Sequence, residues 1–171
     1  LVPPSLREDP AERRRAIRVL AFCAAMGLWA PIFWAVYEFL VPCRPCALGG
    51  AGAGTLVLTI PFLQRWTQRS WIGGNALTLL AGATYAALVI YTGGCSSPAA
   101  VWFVSLPIIA TMTVDLRSGV FWSVASVLVV SAFFTYEECF GQLSTPLSHR
   151  AFHVLQFAGL AGIIFCVLGL T

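Results

Sequence analysis

The run RRRAIRVLAFCAAMGLWAPIFWAVYEFLV, residues 13–41, decides the fold class. Between Arg18 and Glu38 it carries no charge. Crossing the hydrocarbon core of a bilayer as an α-helix takes roughly 20 residues of this kind. Four more runs of comparable character follow at 46–63, 71–91, 119–136 and 151–170, and a shorter one at 99–114. The shorter run contains Pro107 and the first contains Pro31. Neighbouring helices can satisfy the carbonyls that a proline frees, so neither excludes a span. A cleaved signal peptide is the other reading of the first run, because arginines precede it. Its apolar part is longer than the roughly 7–15 residues of a signal core, and it ends in Tyr37-Glu38-Phe39 rather than in small residues. The expected fold is therefore all-α: a polytopic, six-helix transmembrane bundle over 16–171, preceded by a cytoplasmic segment, 1–15.

Composition agrees. Of 171 residues 58% are hydrophobic and only 10% charged, against about 25% charged in an ordinary soluble domain. This excludes disordered, collagen-like and nucleic-acid-binding classes, and a net charge of +3 is too small to suggest a nucleic-acid partner. All ten basic residues are arginines, and their placement orients the bundle. With the N-terminus inside, Arg7, Arg13, Arg14, Arg15, Arg18, Arg65, Arg69 and Arg117 fall on the cytoplasmic side and only Arg44 and Arg150 outside, as the positive-inside rule requires. Six spans then return the C-terminus to the cytoplasm. Trp66, Trp71 and Trp102 lie near span ends, where interfacial anchors belong. Except for 137–150 the connections are short, which leaves no room for a folded extracellular sensor domain. There is no convincing internal repeat of the kind transporters carry. The chain starts without Met and stops at Thr171 within an apolar run, so a domain boundary and a further effector part are expected there.

Four constellations can carry chemistry. The first is the outer loop Tyr91-Thr92-Gly93-Gly94-Cys95-Ser96-Ser97-Pro98. Two glycines permit a tight turn and close backbone approach, and Pro98 suits the start of a helix. The loop reads either as a plain interhelical turn or as a rim of amides and hydroxyls that hydrogen-bonds a quinone or a lipid head group. The second is cysteine placement. Cys43, Cys46, Cys95 and Cys139 all fall on the outer side, with Cys43-Arg44-Pro45-Cys46 forming a C-x-x-C, and Cys23 and Cys166 fall inside spans. Arg44 can lower a neighbouring thiol pKa. Structural disulfides, redox sensing and thiol oxidation all remain open. The third is His149, His153 and Gln156 on one face of the last helix, with Glu38, Glu137 and Glu138 at similar depth. Interfacial snorkelling and a polar, pH-sensitive pocket are both open, and no metal-ligand set is complete. The fourth is Gly49-Gly50-Ala51-Gly52-Ala53-Gly54. Without a preceding strand or a Lys-Ser/Thr it is no nucleotide loop. Gly50 and Gly54 instead form a small-x-x-x-small packing pair, which Ala158 and Gly162 repeat.

The stretch from Gly74-Asn75 through Thr92-Gly93-Gly94-Cys95-Ser96-Ser97-Pro98, Trp102 and Pro107 to Arg117-Ser118-Gly119 and Trp122 resembles the six-helix input modules of bacterial membrane sensor histidine kinases, diguanylate cyclases and adenylyl cyclases. The loop is also similar to the Gly-Gly-x-x-Asn-Pro-Phe segment of Reg-type redox sensor kinases, linked to ubiquinone. Gly93, Gly94 and Pro98 match. Ser97 stands where that pattern has Asn, and Ala99 where it has Phe. The resemblance implies a signal-input domain in a bacterial inner membrane. It further implies a ligand or quinone site at Gly93, Gly94, Ser97, Pro98 and Trp102, a homodimer, and a cytoplasmic kinase or cyclase effector in the same chain. The cysteines also resemble those of DsbB-type quinone-coupled thiol oxidases, with Cys43/Cys46 and Cys95/Cys139 as the two pairs. That family has a four-helix core. A passive membrane anchor is the third reading.

Overall fold

The computed structural model describes residues 9–40, 44–141, 143, 152–154, 156, 157 and 160. Among the described residues all regular structure is helical. The α-helices are α1 (Pro10–Leu40), α2 (Arg44–Val57), α3 (Ile60–Thr67), α4 (Ser70–Thr92), α5 (Ser105–Thr113) and α6 (Leu116–Phe140). Two 3₁₀ stretches, Gly94–Ser96 and Pro98–Val104, connect α4 to α5.

Among the described residues four segments are long and apolar enough to cross a membrane: Pro10–Ala35, Ala47–Thr67, Ser70–Thr92 and Leu116–Phe140. The fourth sequence run forms the shorter apolar helix Pro98–Thr113. Its first seven residues are 3₁₀ and the next nine α-helical. At rises of ~2.0 and ~1.5 Å per residue these reach about 27 Å, close to the ~30 Å of a hydrocarbon core. The stretched first half thus nearly makes up for the missing residues. The sixth run, 151–170, lies mostly outside the described residues, and so does Cys166.

The helices alternate in direction, and contacts at their ends establish it. At one end Ser70 donates to Glu12, which also pairs with Arg15 at 2.6 Å, and Gln64 Nε2 donates to the Ser70 carbonyl. At the same end Arg18 donates to the Met112 carbonyl at 2.8 Å, capping the last turn of α5. At the far end Glu38 faces Arg44, and α6 meets the loop after α4. Of the described arginines, Arg13, Arg14, Arg15, Arg18, Arg65, Arg69 and Arg117 gather at the first end, and Arg44 alone at the far end.

Helix α4 is the hub, packed on α1, α2, α3, α5 and both 3₁₀ stretches. Two apolar cores stack along it. Near the arginine-rich end, Leu77 meets Val19, Phe22, Ile60 and Ile109. Near the far end, Tyr85 and Leu88 meet Trp34, Phe103 and Leu106. Polar side chains within the spans are satisfied locally. Thr78, Thr84, Thr92, Thr111, Thr113 and Ser123 each donate to the carbonyl four residues back, which is how a membrane helix accommodates hydroxyls. Helix α6 packs on α5 but is the least buried of the long helices among the described residues. Only Gly119 and Ser126 are buried along its 25 residues, while Phe121, Val127, Leu128 and Phe134 are exposed.

Several boundaries differ from the sequence expectation. Helix α1 starts at Pro10, so the helix extends past the apolar run to include Arg13–Arg15. The second span breaks at Leu58–Thr59 and continues as α3 to Thr67. Pro61 lacks the N–H that would continue α2 through this point. The fifth span runs on to Phe140, making Glu137, Glu138 and Cys139 helical.

Candidate functional site

The far-end loop is a tightly satisfied turn. Helix α4 ends at Gly93 (φ 107°), and Gly94 follows at φ 63°. Both lie in the left-handed region, where a β-carbon is strained. Thr92 and Ser97, 1% and 3% exposed, share a short hydroxyl–hydroxyl hydrogen bond. Ser97 Oγ also accepts from the Ala99 N–H at 3.1 Å, capping the second 3₁₀ stretch, and Pro98 sits buried in its first turn.

Glu137 of α6 closes the loop from outside. Its Oε1 accepts the Cys95 N–H at 2.8 Å and packs on the Gly94 backbone so closely that a β-carbon there would overlap it. This acceptor, 42 residues away in sequence, is the functional residue whose role sequence reasoning missed. An acid near the end of a long apolar run was the only signal. Burial, then the Glu137 charge, then a hydrogen bond to Glu137 push the Cys95 thiol above its ordinary pKa. Less thiolate means slower alkylation. Glu137→Gln removes the charge, so Cys95 should react several-fold faster with a maleimide at pH 8 in this variant. Unchanged kinetics would remove Glu137 from the loop.

Beneath the loop lies an aromatic cluster. Trp102 meets Tyr85 edge-on at 5.5 Å and Phe33 at 6.3 Å, and Tyr85 OH is hydrogen-bonded to Ser105 Oγ at 3.2 Å. Trp102 Nε1 is buried with no hydrogen-bond partner among the described residues, and so is Glu38 Oε2. A buried unpaired donor or acceptor is destabilising by about 1–3 kcal/mol, so a ligand acceptor would satisfy Trp102 Nε1 and a ligand donor Glu38 Oε2.

The other sequence candidates do not converge on this loop. Glu38 Oε1 sits 3.8 Å from Arg44 Nε at the α1–α2 junction. His153 and Gln156 are exposed helical positions, and the His153 ring meets Phe152 edge-on. His149 and Cys43 lie outside the described residues, and Cys46 falls in the first turn of α2. Cys95 and Cys139 are both free thiols. Cys139 stands two residues from Glu137 on α6, which turns it about 200° around the helix from the side that meets Cys95. Among the described residues no three His, Cys, Asp or Glu side chains gather as a metal site.

Ubiquinone, which the loop resemblance implies, needs donors for its carbonyl oxygens and a flat apolar wall. The Ser97 hydroxyl is already engaged by Thr92 and Ala99. Trp102 Nε1, flanked by Phe33 and Tyr85, is the group that fits. Comparison with protein-family models, with curated proteins and with solved structures finds no match.

Proposed function

We propose that this chain is a membrane-embedded signal-input domain of a bacterial inner-membrane signalling protein. In this reading six spans place both termini in the cytoplasm, and a ligand or redox signal passes to a cytoplasmic effector, a histidine kinase or cyclase, in a dimer. One observation carries it: the loop that ends α4 is gripped by Glu137 of α6, a helix that otherwise buries only two residues. A helix packed mainly on α5 and joined to the α4 side by discrete polar clasps can take two arrangements against that side. A ligand that prefers one of them shifts the balance.

The remaining clasps are few. Trp122 Nε1 donates to Asn75 Oδ1 at 2.9 Å and Ser126 donates to the Phe103 carbonyl at 3.3 Å. A quinone or another carbonyl ligand would be held by Trp102 Nε1 against Phe33 and Tyr85. Redox chemistry would be the quinone's own, and the protein would supply the donor and the apolar wall.

The thiol-oxidase reading is less well supported. A relay needs reactive thiolates in exchange distance of one another. Burial and Glu137 raise the Cys95 pKa and so lower its thiolate fraction, and Cys139 stands on another side of α6.

The test is a fusion of residues 1–171 to a dimeric kinase core. Glu137→Gln should change basal autophosphorylation at least about five-fold, the lower range of a coupling between sites, while membrane insertion is kept. Cys43→Ser with Cys46→Ser should leave output intact. Output indifferent to Glu137→Gln would reduce the domain to an anchor, and quinone-dependent dithiol oxidation lost with the two cysteines would make it an oxidase. Reporter fusions after Arg44, Cys95 and Leu143 should read outside, and after Arg69, Arg117 and Thr171 inside. A five-span pattern would overturn the orientation.

A further inference from the structure

Not all arginines at the α1 end serve the bundle. Arg15 is paired with Glu12, and Arg18 caps the Met112 carbonyl. Arg13 and Arg14 form no ion pair among the described residues. Arg14 uses only its Nε, donating to the Pro10 carbonyl at 3.3 Å, so its terminal nitrogens stay available. With Pro10 and Ile17 these two side chains line an open recess of about 360 Å³. The spacing 10, 13, 14, 17 is one face of a helix, opposite the face that buries Ala16 and Val19. The nearest described acids form no ion pair with Arg13 or Arg14. Asp9 accepts the Ala11 N–H, and Glu12 faces Arg15 and Ser70.

The same face continues down the span as Ala21, Ala24 and Leu28, all exposed. Small alanines between Ile17 and Leu28 leave a shallow apolar track directly below the two guanidiniums. A doubly positive recess at the end of a membrane-crossing helix, opening onto an apolar track, has the shape and charge of one kind of occupant.

We propose that Arg13 and Arg14 bind the phosphate of an anionic glycerophospholipid whose acyl chain lies along Ile17, Ala21, Ala24 and Leu28. Guanidinium groups suit phosphate because their planar N–H pairs match its oxygens. The two positive charges select lipids of net negative charge over zwitterionic ones. The site is independent of the far-end loop and of the sensor reading.

The test is native mass spectrometry of the full chain released from detergent with dioleoyl phosphatidylglycerol or dioleoyl phosphatidylcholine. Phosphatidylglycerol should be retained about twenty-five-fold better, from about five-fold for each of the two basic side chains near an anionic surface. The double variant Arg13→Gln, Arg14→Gln should lose that preference. Arg65→Gln with Arg69→Gln removes the same charge at the same end and should keep it. Ala24→Phe, which fills the track without touching charge, should also weaken retention. Glycerol 3-phosphate should fail to compete. Equal losses in both arginine doubles would mean diffuse surface charge. An undiminished preference in Arg13→Gln, Arg14→Gln, or full retention in Ala24→Phe, would overturn the site. Competition by glycerol 3-phosphate at lipid concentrations would make the occupant a soluble anion.

Discussion

Gly94→Val should lower the apparent melting temperature of the purified chain by about 10 °C, among the largest effects of any single substitution here. Three physical terms act together. The backbone at 94 has φ 63°, a conformation that costs an L-residue ~1–2 kcal/mol and is a genuine outlier for a β-branched one. A β-carbon at this position would overlap Glu137 Oε1 and stand 2.7 Å from its Cδ. The carboxylate must therefore withdraw, and the Cys95 N–H loses its acceptor, a further ~1–3 kcal/mol. The sum is about 2–5 kcal/mol. The conservative partner experiment isolates the contact. Gly94→Ala in the Glu137→Ala background should cost less than Gly94→Ala alone, because the overlap is already gone, and a double-mutant cycle reads the difference. Additive losses, or a Gly94→Val protein that melts with the wild type, would show that α6 does not grip this loop.

That contact also marks where sequence reasoning reached its limit. Length and apolarity are properties of a run, so the long helices were legible, and so was the arginine-rich end. Helix α1 reaches further toward the N-terminus than the apolar run, because Arg13, Arg14 and Arg15 continue it as helix. In the structure Arg15 turns to Glu12 and Arg18 to α5, which lets the helix begin at Pro10. The break between α2 and α3 carries no glycine. Pro61 was its one local signal, and prolines in membrane helices are usually tolerated. Gly93, Gly94 and Pro98 announced a turn, and the turn is there. What joins that turn to the rest was hidden, because a hydrogen bond between Cys95 and Glu137 depends on how two distant helices pack. The Asn75–Trp122 bond is of the same kind. Both residues stood out in the resemblance, yet nothing in a linear pattern pairs them.

The glycines at the start of α2 test the packing argument by the sign of the response. Gly50 and Gly54 face α1 so closely that a β-carbon at 50 would overlap the Trp34 indole and one at 54 would overlap Ala30 Cβ. Gly49 and Gly52 have nothing within 4 Å of that position. Helix propensity alone favours alanine over glycine at all four sites by up to ~1 kcal/mol. At 49 and 52 nothing opposes it, so Gly49→Ala and Gly52→Ala should be neutral or should raise the melting temperature. At 50 the gain is opposed by overpacking, typically ~1–3 kcal/mol. The indole cannot yield easily, because Trp34 is 5% exposed, meets Phe33 edge-on at 5.2 Å and belongs to the core that includes Tyr85 and Leu88. Gly50→Leu adds three more carbons against the same ring and should separate α1 from α2 altogether. Its expected result is loss of the monodisperse folded species in detergent, with Gly50→Ala intermediate. Helices α1 and α2 form the most extensively packed pair in the bundle, so this loss should exceed that of Gly94→Val. If all four alanine variants moved in the same direction, backbone propensity rather than close helix approach would govern this face, and the small-residue pair would have no packing role.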